Sequence, residues 1–142
     1  MNRQPLDNLA RIGKLTTEAS AEDEIRGLMR SGRLRLEDAA HRDLSLESRF
    51  DLAYNAAHAL ARAALRFSGY RSESRYLVFQ CLQHTIDLPA EQWRVLDQAH
   101  RKRNLAEYEG EMDVDEQLVA AMLRVAHDVA KRVEQFVDAQ ES

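Results

Sequence analysis

Apolar residues recur at three- and four-residue steps over most of this chain, the spacing that lines one face of an α-helix. The clearest run is Phe50, Ala53, Tyr54, Ala57, Leu60, Ala61, Ala64 and Leu65. Ser45-Leu46-Glu47-Ser48 opens it with a capping signal and Ser68-Gly69 closes it. Its many alanines invite another helix to approach closely. A second long run carries Leu118, Met122, Val125, Val129, Val133 and Phe136, with Asp113 or Asp115 placed to cap its start.

The remaining segments follow the same period. Leu6, Leu9, Ile12 and Leu15 predict a short helix over residues 6–15. Ser20-Ala21-Glu22-Asp23 reads as the cap of a second helix, with Ile25, Leu28 and Met29 facing inward. Ser31-Gly32 predicts a break or kink before Leu34, Leu36, Ala39 and Ala40 resume the pattern. Leu77, Val78, Cys81 and Leu82 place a shorter helix over residues 72–83. Pro89 suits the first turn of the next helix, which carries Trp93, Leu96 and a basic cluster, and Gly110 supplies its stop. No alternating β-branched run reaches strand length. The expectation is an all-α protein: one compact antiparallel helical bundle of about five to six helices, over residues 1–142.

Composition narrows the function classes. A single cysteine, Cys81, precludes an internal disulfide framework and fits a reducing cytoplasm. Met1-Asn2-Arg3-Gln4-Pro5 leads into no apolar run, so neither a signal peptide nor a membrane anchor is expected there, and no stretch is apolar enough to span a bilayer. A net charge of −4 argues against a protein that coats DNA, although 20 Lys and Arg side chains can still cluster locally. His41, His84 and His127 lack a partner at metal-ligand spacing, and neither a nucleophile elbow nor a phosphate loop is present, so no metal or other cofactor is expected. His58, beside Ala57, reads as a satisfied core or groove residue. Cys81, between Phe79 and Leu82, reads as an inert buried thiol.

The stretch from His100 to Gly110 holds the candidate chemistry. On a helix turning about 100° per residue, Arg103 falls within about 20–40° of Leu96 and Ala99, on an apolar arc. A guanidinium there needs partners or an interface, because burying an unpaired charge is costly. In one reading Arg103 forms a structural i,i+4 pair with Glu107, and the protein is a non-catalytic interaction module. In the other it serves a ligand. Arg101, Asn104 and Tyr108 share one face, whereas Arg103, His100 and Glu107 look another way. Arg103 and Tyr108, about 140° apart, therefore converge only through a bend at the helix end or across a two-fold dimer axis.

Residues 44–110 resemble the HEPN domain family of small helical proteins. The likeness rests on Arg49-Phe50-Asp51-Leu52-Ala53-Tyr54 with Ala56-Ala57, on Gly69-Tyr70-Arg71, and most specifically on Arg103-Asn104-Leu105-Ala106-Glu107-Tyr108. The resemblance implies a helical bundle that dimerises and sets two such motifs side by side in a cleft. Many members of that family are metal-independent ribonucleases, often toxins paired with a nucleotidyltransferase or another antitoxin. Their motif is an arginine, usually followed by a polar residue, then a histidine after four to six intervening positions. Arg103 and Asn104 match its start; Tyr108, Glu109 and Gly110 occupy the places where the histidine would stand. An unperturbed tyrosine titrates near 10 and is a poor general base near neutral pH. The resemblance thus implies RNA or nucleotide binding in a toxin–antitoxin or stress system, with a degenerate ribonuclease motif. Arg103 would be the phosphate-stabilising residue, Tyr108 or His100 the proton carrier, and Arg101, Asn104 and Glu107 ligand contacts.

Overall fold

A computed structural model describes residues 3–110 and 113–141. The elements are α1 (Gln4–Arg11), β1 (Thr16–Thr17), α2 (Glu22–Ala39), α3 (Leu46–Phe67), β2 (Tyr70–Arg71), α4 (Arg75–Gln80), α5 (Leu82–Thr85), α6 (Ala90–Glu109) and α7 (Glu116–Glu141). The protein is all-α, as its periodicity predicts. Five helices of eight residues or more form the bundle and two short ones bridge α3 to α6. Helix α3 lies at the centre, packed on α2, α7, α4 and α6. The connection from α2 to α3 is short enough to make the two run antiparallel. No helix among the described residues is long and apolar enough to cross a membrane.

The alanines of α3 explain its position. Ala53, Ala56, Ala57, Ala61, Ala63 and Ala64 are all buried, leaving little side-chain bulk between α3 and its neighbours. Gly32 extends this close approach. A Cβ at that position would lie 2.7 Å from Leu60 Cγ and 3.3 Å from the Ala56 carbonyl oxygen. Ser31-Gly32 therefore does not break α2, which runs through it: the glycine is there for contact with α3. Gly32→Ala gains helix propensity but overpacks this contact, and a net loss of about 1 kcal/mol is expected. A urea midpoint above that of the wild type would contradict the contact.

Several boundaries differ from the expectation for local reasons. Helix α1 ends at Arg11, because Gly13 takes a left-handed conformation and a Schellman stop forms: Gly13 N–H donates to Ala10 O and Lys14 N–H to Leu9 O. Ile12 is consequently exposed, and Leu15 reaches the core from outside the helix. Ser20 does not cap α2; Ala21 precedes it without a side-chain cap. Leu34 is exposed on α2, and the helix expected over 72–83 divides at Cys81 into α4 and α5. Pro89 stands one residue ahead of α6, and Gly110 ends that helix with φ 77°. The Ser45 cap forms, its hydroxyl accepting from Ser48 N–H at 3.1 Å, and Asp115 rather than Asp113 caps α7 through Leu118 N–H at 2.8 Å.

The chain before α2 is held by a buried arginine that the periodicity conceals. Arg66, 2% exposed, projects from α3 and donates to the carbonyl oxygens of Glu18, Ala19 and Tyr70 and to the Glu24 carboxylate. Arg71 pairs with Glu18 and Glu24 at 2.7 and 2.8 Å. The two-residue antiparallel ladder of Thr16–Thr17 with Tyr70–Arg71 follows from this clasp. Such a ladder has too few residues to leave an alternating pattern in the sequence.

Candidate functional site

Two matching polar stripes face each other across the α3–α6 contact. Helix α3 carries Asp51, Tyr54, Asn55 and His58, spaced i, i+3, i+4 and i+7; α6 carries His100, Arg103, Asn104 and Glu107 at the same intervals. That spacing puts each set on one side of its helix. His100 ties the stripes together. Its Nδ1 is 3.1 Å from the Tyr54 hydroxyl, and its Nε2 is 3.1 Å from Asn104 Nδ2. With Asn104 donating to Nε2, the neutral imidazole carries its proton on Nδ1 and donates to Tyr54 Oη.

Arg103 lies flat beside this pair, its guanidinium carbon 5.0 Å from the centre of the Tyr54 ring. Nη1 is 3.7 Å from Asp51 Oδ1, close enough for an ion pair but too far for a hydrogen bond. Nη1 is buried without a hydrogen-bond partner, and no acceptor among the described residues takes a hydrogen bond from any Arg103 nitrogen. A second cation, Arg75, sits 5.8 Å from the same ring and donates to Asn55 Oδ1 at 3.3 Å. The Tyr54 ring thus holds two guanidinium groups by cation–π attraction, which fixes their position while leaving the Arg103 donors unused.

Burial governs the titration of the site. It raises the Tyr54 phenol above its ordinary value, and it lowers His100, with Arg75 and Arg103 adding to the effect. His100 is therefore neutral near pH 7, able to accept a proton. His58, packed edge-on against Phe79 with ring centres 5.5 Å apart, is pushed down to about 3, chiefly by burial. Unfolded, it would titrate near 6.5. Between those values the unfolded chain binds a proton that the folded chain refuses, so stability falls as pH is lowered. A loss of about 1 kcal/mol per pH unit is expected from pH 6 down to pH 5, before the carboxylates titrate. His58→Phe should reduce this slope in urea titrations to the part that the lowered His100 contributes; an unchanged slope would remove His58 as a source.

The structure brings Arg103, His100 and Asn104 together, with Glu107 on the same stripe of α6, and separates Arg101 and Tyr108 from them. Arg103 pairs with Asp51, not with Glu107, because Asp51 stands opposite it on α3 whereas Glu107 continues along α6. Asn104 turns to His100 rather than sharing a site with Tyr108. Arg101 points outward and pairs with Asp97 at 3.2 Å. Tyr108 is 93% exposed with no partner among the described residues, as α6 continues unbroken to Glu109 and no bend returns the phenol to Arg103. Cys81 is buried, and its thiol is pushed up to about 12. Among the described residues no group of three His, Cys, Asp or Glu side chains could hold a metal ion.

Sequence reasoning missed Asp51, Asn55 and Arg75 as members of the site. The polar stripe on α3 was the available signal, since Asp51, Asn55 and His58 interrupt an alanine-rich helix on one side only. Arg75, on a six-residue helix, left none. A cleft of about 600 Å³ lies elsewhere, among Ile25, Met29, Phe67 and Val137. Of its rim charges, Glu22 and Arg26 pair with each other. Comparison with family models, curated proteins and solved structures finds no match to this chain.

Proposed function

We propose that this protein is a HEPN-like RNA- or nucleotide-binding protein whose phosphate contact is Arg103. The observation that carries the reading is a guanidinium held in place by a ring and a distant carboxylate, with none of its hydrogen bonds formed. Nη1 is buried but the side chain is 26% exposed, and a guanidinium with unused donors suits a phosphate, which accepts charge-assisted hydrogen bonds. Asp51 and Glu107 partly offset Arg75 and Arg103, which favours one or two phosphates over a long polyanion. Asn104 and His100 supply neutral hydrogen-bonding groups beside the arginine.

The family resemblance adds a dimer cleft, a place in a toxin–antitoxin or stress system with an antitoxin or nucleotidyltransferase partner, and a degenerate metal-independent ribonuclease site. If RNA is cleaved, Arg103 steadies the phosphate and His100 takes the proton of the attacking 2′-hydroxyl; the O2′–P bond forms as the P–O5′ bond breaks, and the imidazolium returns the proton to the departing 5′-oxygen. The neutral imidazole, one turn from Arg103, favours it over Tyr108. Incubating structured and single-stranded RNA in EDTA with wild type, Arg103→Ala and His100→Ala tests both levels. Binding lost in Arg103→Ala is expected, and cleavage, where it occurs, should be lost in His100→Ala as well. Equal RNA affinity of folded wild type and Arg103→Ala would refute the site.

A second reading, a protein-docking module, is favoured by one observation on the far side of α6. Leu105 and Tyr108 stand 55% and 93% exposed there. Leu105→Glu should leave RNA affinity intact and weaken self-association or partner capture, measured by sedimentation.

A further inference from the structure

Beside the Arg103 site lies an aromatic surface that neither the fold nor the phosphate contact requires. Tyr76 of α4 is 42% exposed, and no described residue hydrogen-bonds its hydroxyl. Its ring is nonetheless held from two sides: Trp93 meets it edge to face with centres 5.6 Å apart, and His100 lies tilted against it at 5.9 Å. Trp93 is anchored against the hydrophobic core, so the exposed ring rests on a fixed base. An aromatic kept in one orientation yet open to solvent loses little entropy when another flat group stacks on it.

Its neighbours give the direction. Trp93, His100 and Arg103 follow one another along α6, with Trp93 and Arg103 about 15 Å apart along the axis, and Tyr76 sits between Trp93 and His100. Arg75 precedes Tyr76 in the chain and flanks Tyr54 together with Arg103. Guanidinium donors at one end and an open aromatic ring at the other match the two parts of a nucleotide. A base can stack on a protein ring only when it is unpaired.

Resting on the reading of Arg103 as the phosphate contact, we propose that Tyr76, backed by Trp93, is a base-stacking subsite for single-stranded RNA. The subsite selects unpaired strands over duplex and tolerates any base, because each base has a π-face.

Trp93 is the only tryptophan in the chain and reports on its own neighbourhood. Wild type, Tyr76→Ala, Tyr76→Phe and Arg103→Ala are titrated with a single-stranded RNA hexamer, an abasic hexamer of equal charge and an RNA duplex. Tryptophan emission and the anisotropy of a labelled strand are followed together. The single strand should quench Trp93, and Tyr76→Ala should bind it roughly tenfold more weakly. Tyr76→Phe should restore binding, and the weak affinity for the abasic strand should be the same in wild type and Tyr76→Ala. Wild-type affinity in Tyr76→Ala, with binding lost in Arg103→Ala, would overturn the stacking subsite and leave the phosphate site standing. Duplex bound as tightly as single strand would do the same. Loss of binding in neither variant, or no binding by wild type, would remove both.

Discussion

Arg66→Met is expected to lower the unfolding free energy by about 3 kcal/mol, the largest effect on stability of any single change considered. The side chain is buried, and its guanidinium serves the carbonyl oxygens of Glu18, Ala19 and Tyr70 together with the Glu24 carboxylate. Methionine fills comparable volume but leaves three carbonyl groups without their donor. Arg71 keeps hold of Glu18 and Glu24, which moderates the loss. Salt should not mimic the substitution, because a buried pair is poorly screened. Urea unfolding at low salt and at 1 M salt measures both points, and a change within about 0.5 kcal/mol of wild type would contradict the clasp.

The same cluster sets part of the acid limit. Hydrogen bonds from Arg71 hold Glu24 and Glu18 below the ordinary carboxylate value of 4.5. Their contribution is present above that pH and declines as pH falls through their lower folded values. This window lies below the pH 6 to pH 5 interval in which the His58 slope is read, so the two can be resolved in one titration.

Arg103→Ala should behave in the opposite way to Arg66→Met. Arg103 makes no hydrogen bond with any described residue, its ion pair is long, and Asp51 is about half exposed. Removing it costs stability only the cation–π contact and a weak pair, about 1 kcal/mol or less. Affinity for RNA or nucleotide should fall roughly 10- to 100-fold, the worth of charge-assisted hydrogen bonds to phosphate. Arg103→Lys should recover only part of it, since an ammonium lacks the planar fork. A variant that unfolds easily while binding normally would identify Arg103 as structural.

The two arginines also show what the sequence reveals and what it conceals. Helical period alone placed α3, α7 and their buried faces, because alanine, leucine and valine at three- and four-residue steps admit one burial pattern. The apolar arc singled out Arg103 for the same reason. Its partner was not legible: i,i+4 spacing pointed to Glu107, while the partner chosen, Asp51, comes from 52 residues earlier and depends on how α3 meets α6. Gly32 read as a helix breaker because its role is a contact with Leu60, which local propensity does not encode. Arg66 went unnoticed on α3 because its partners lie in a loop without a periodic signal. Tyr108 stands exposed near the end of α6, whereas His100, one turn before Arg103, contacts Tyr54.

The most direct test observes the Arg103 guanidinium itself. The Nε–H signals of nitrogen-15-labelled arginine side chains are recorded while a short single-stranded RNA is added, with Arg103→Lys identifying the Arg103 resonance. The Arg103 signal should move with occupancy, as donors left unused in the unliganded protein gain a phosphate acceptor. An Arg103 signal that stays in place while RNA binds, with the shifts falling on other arginines, would contradict it.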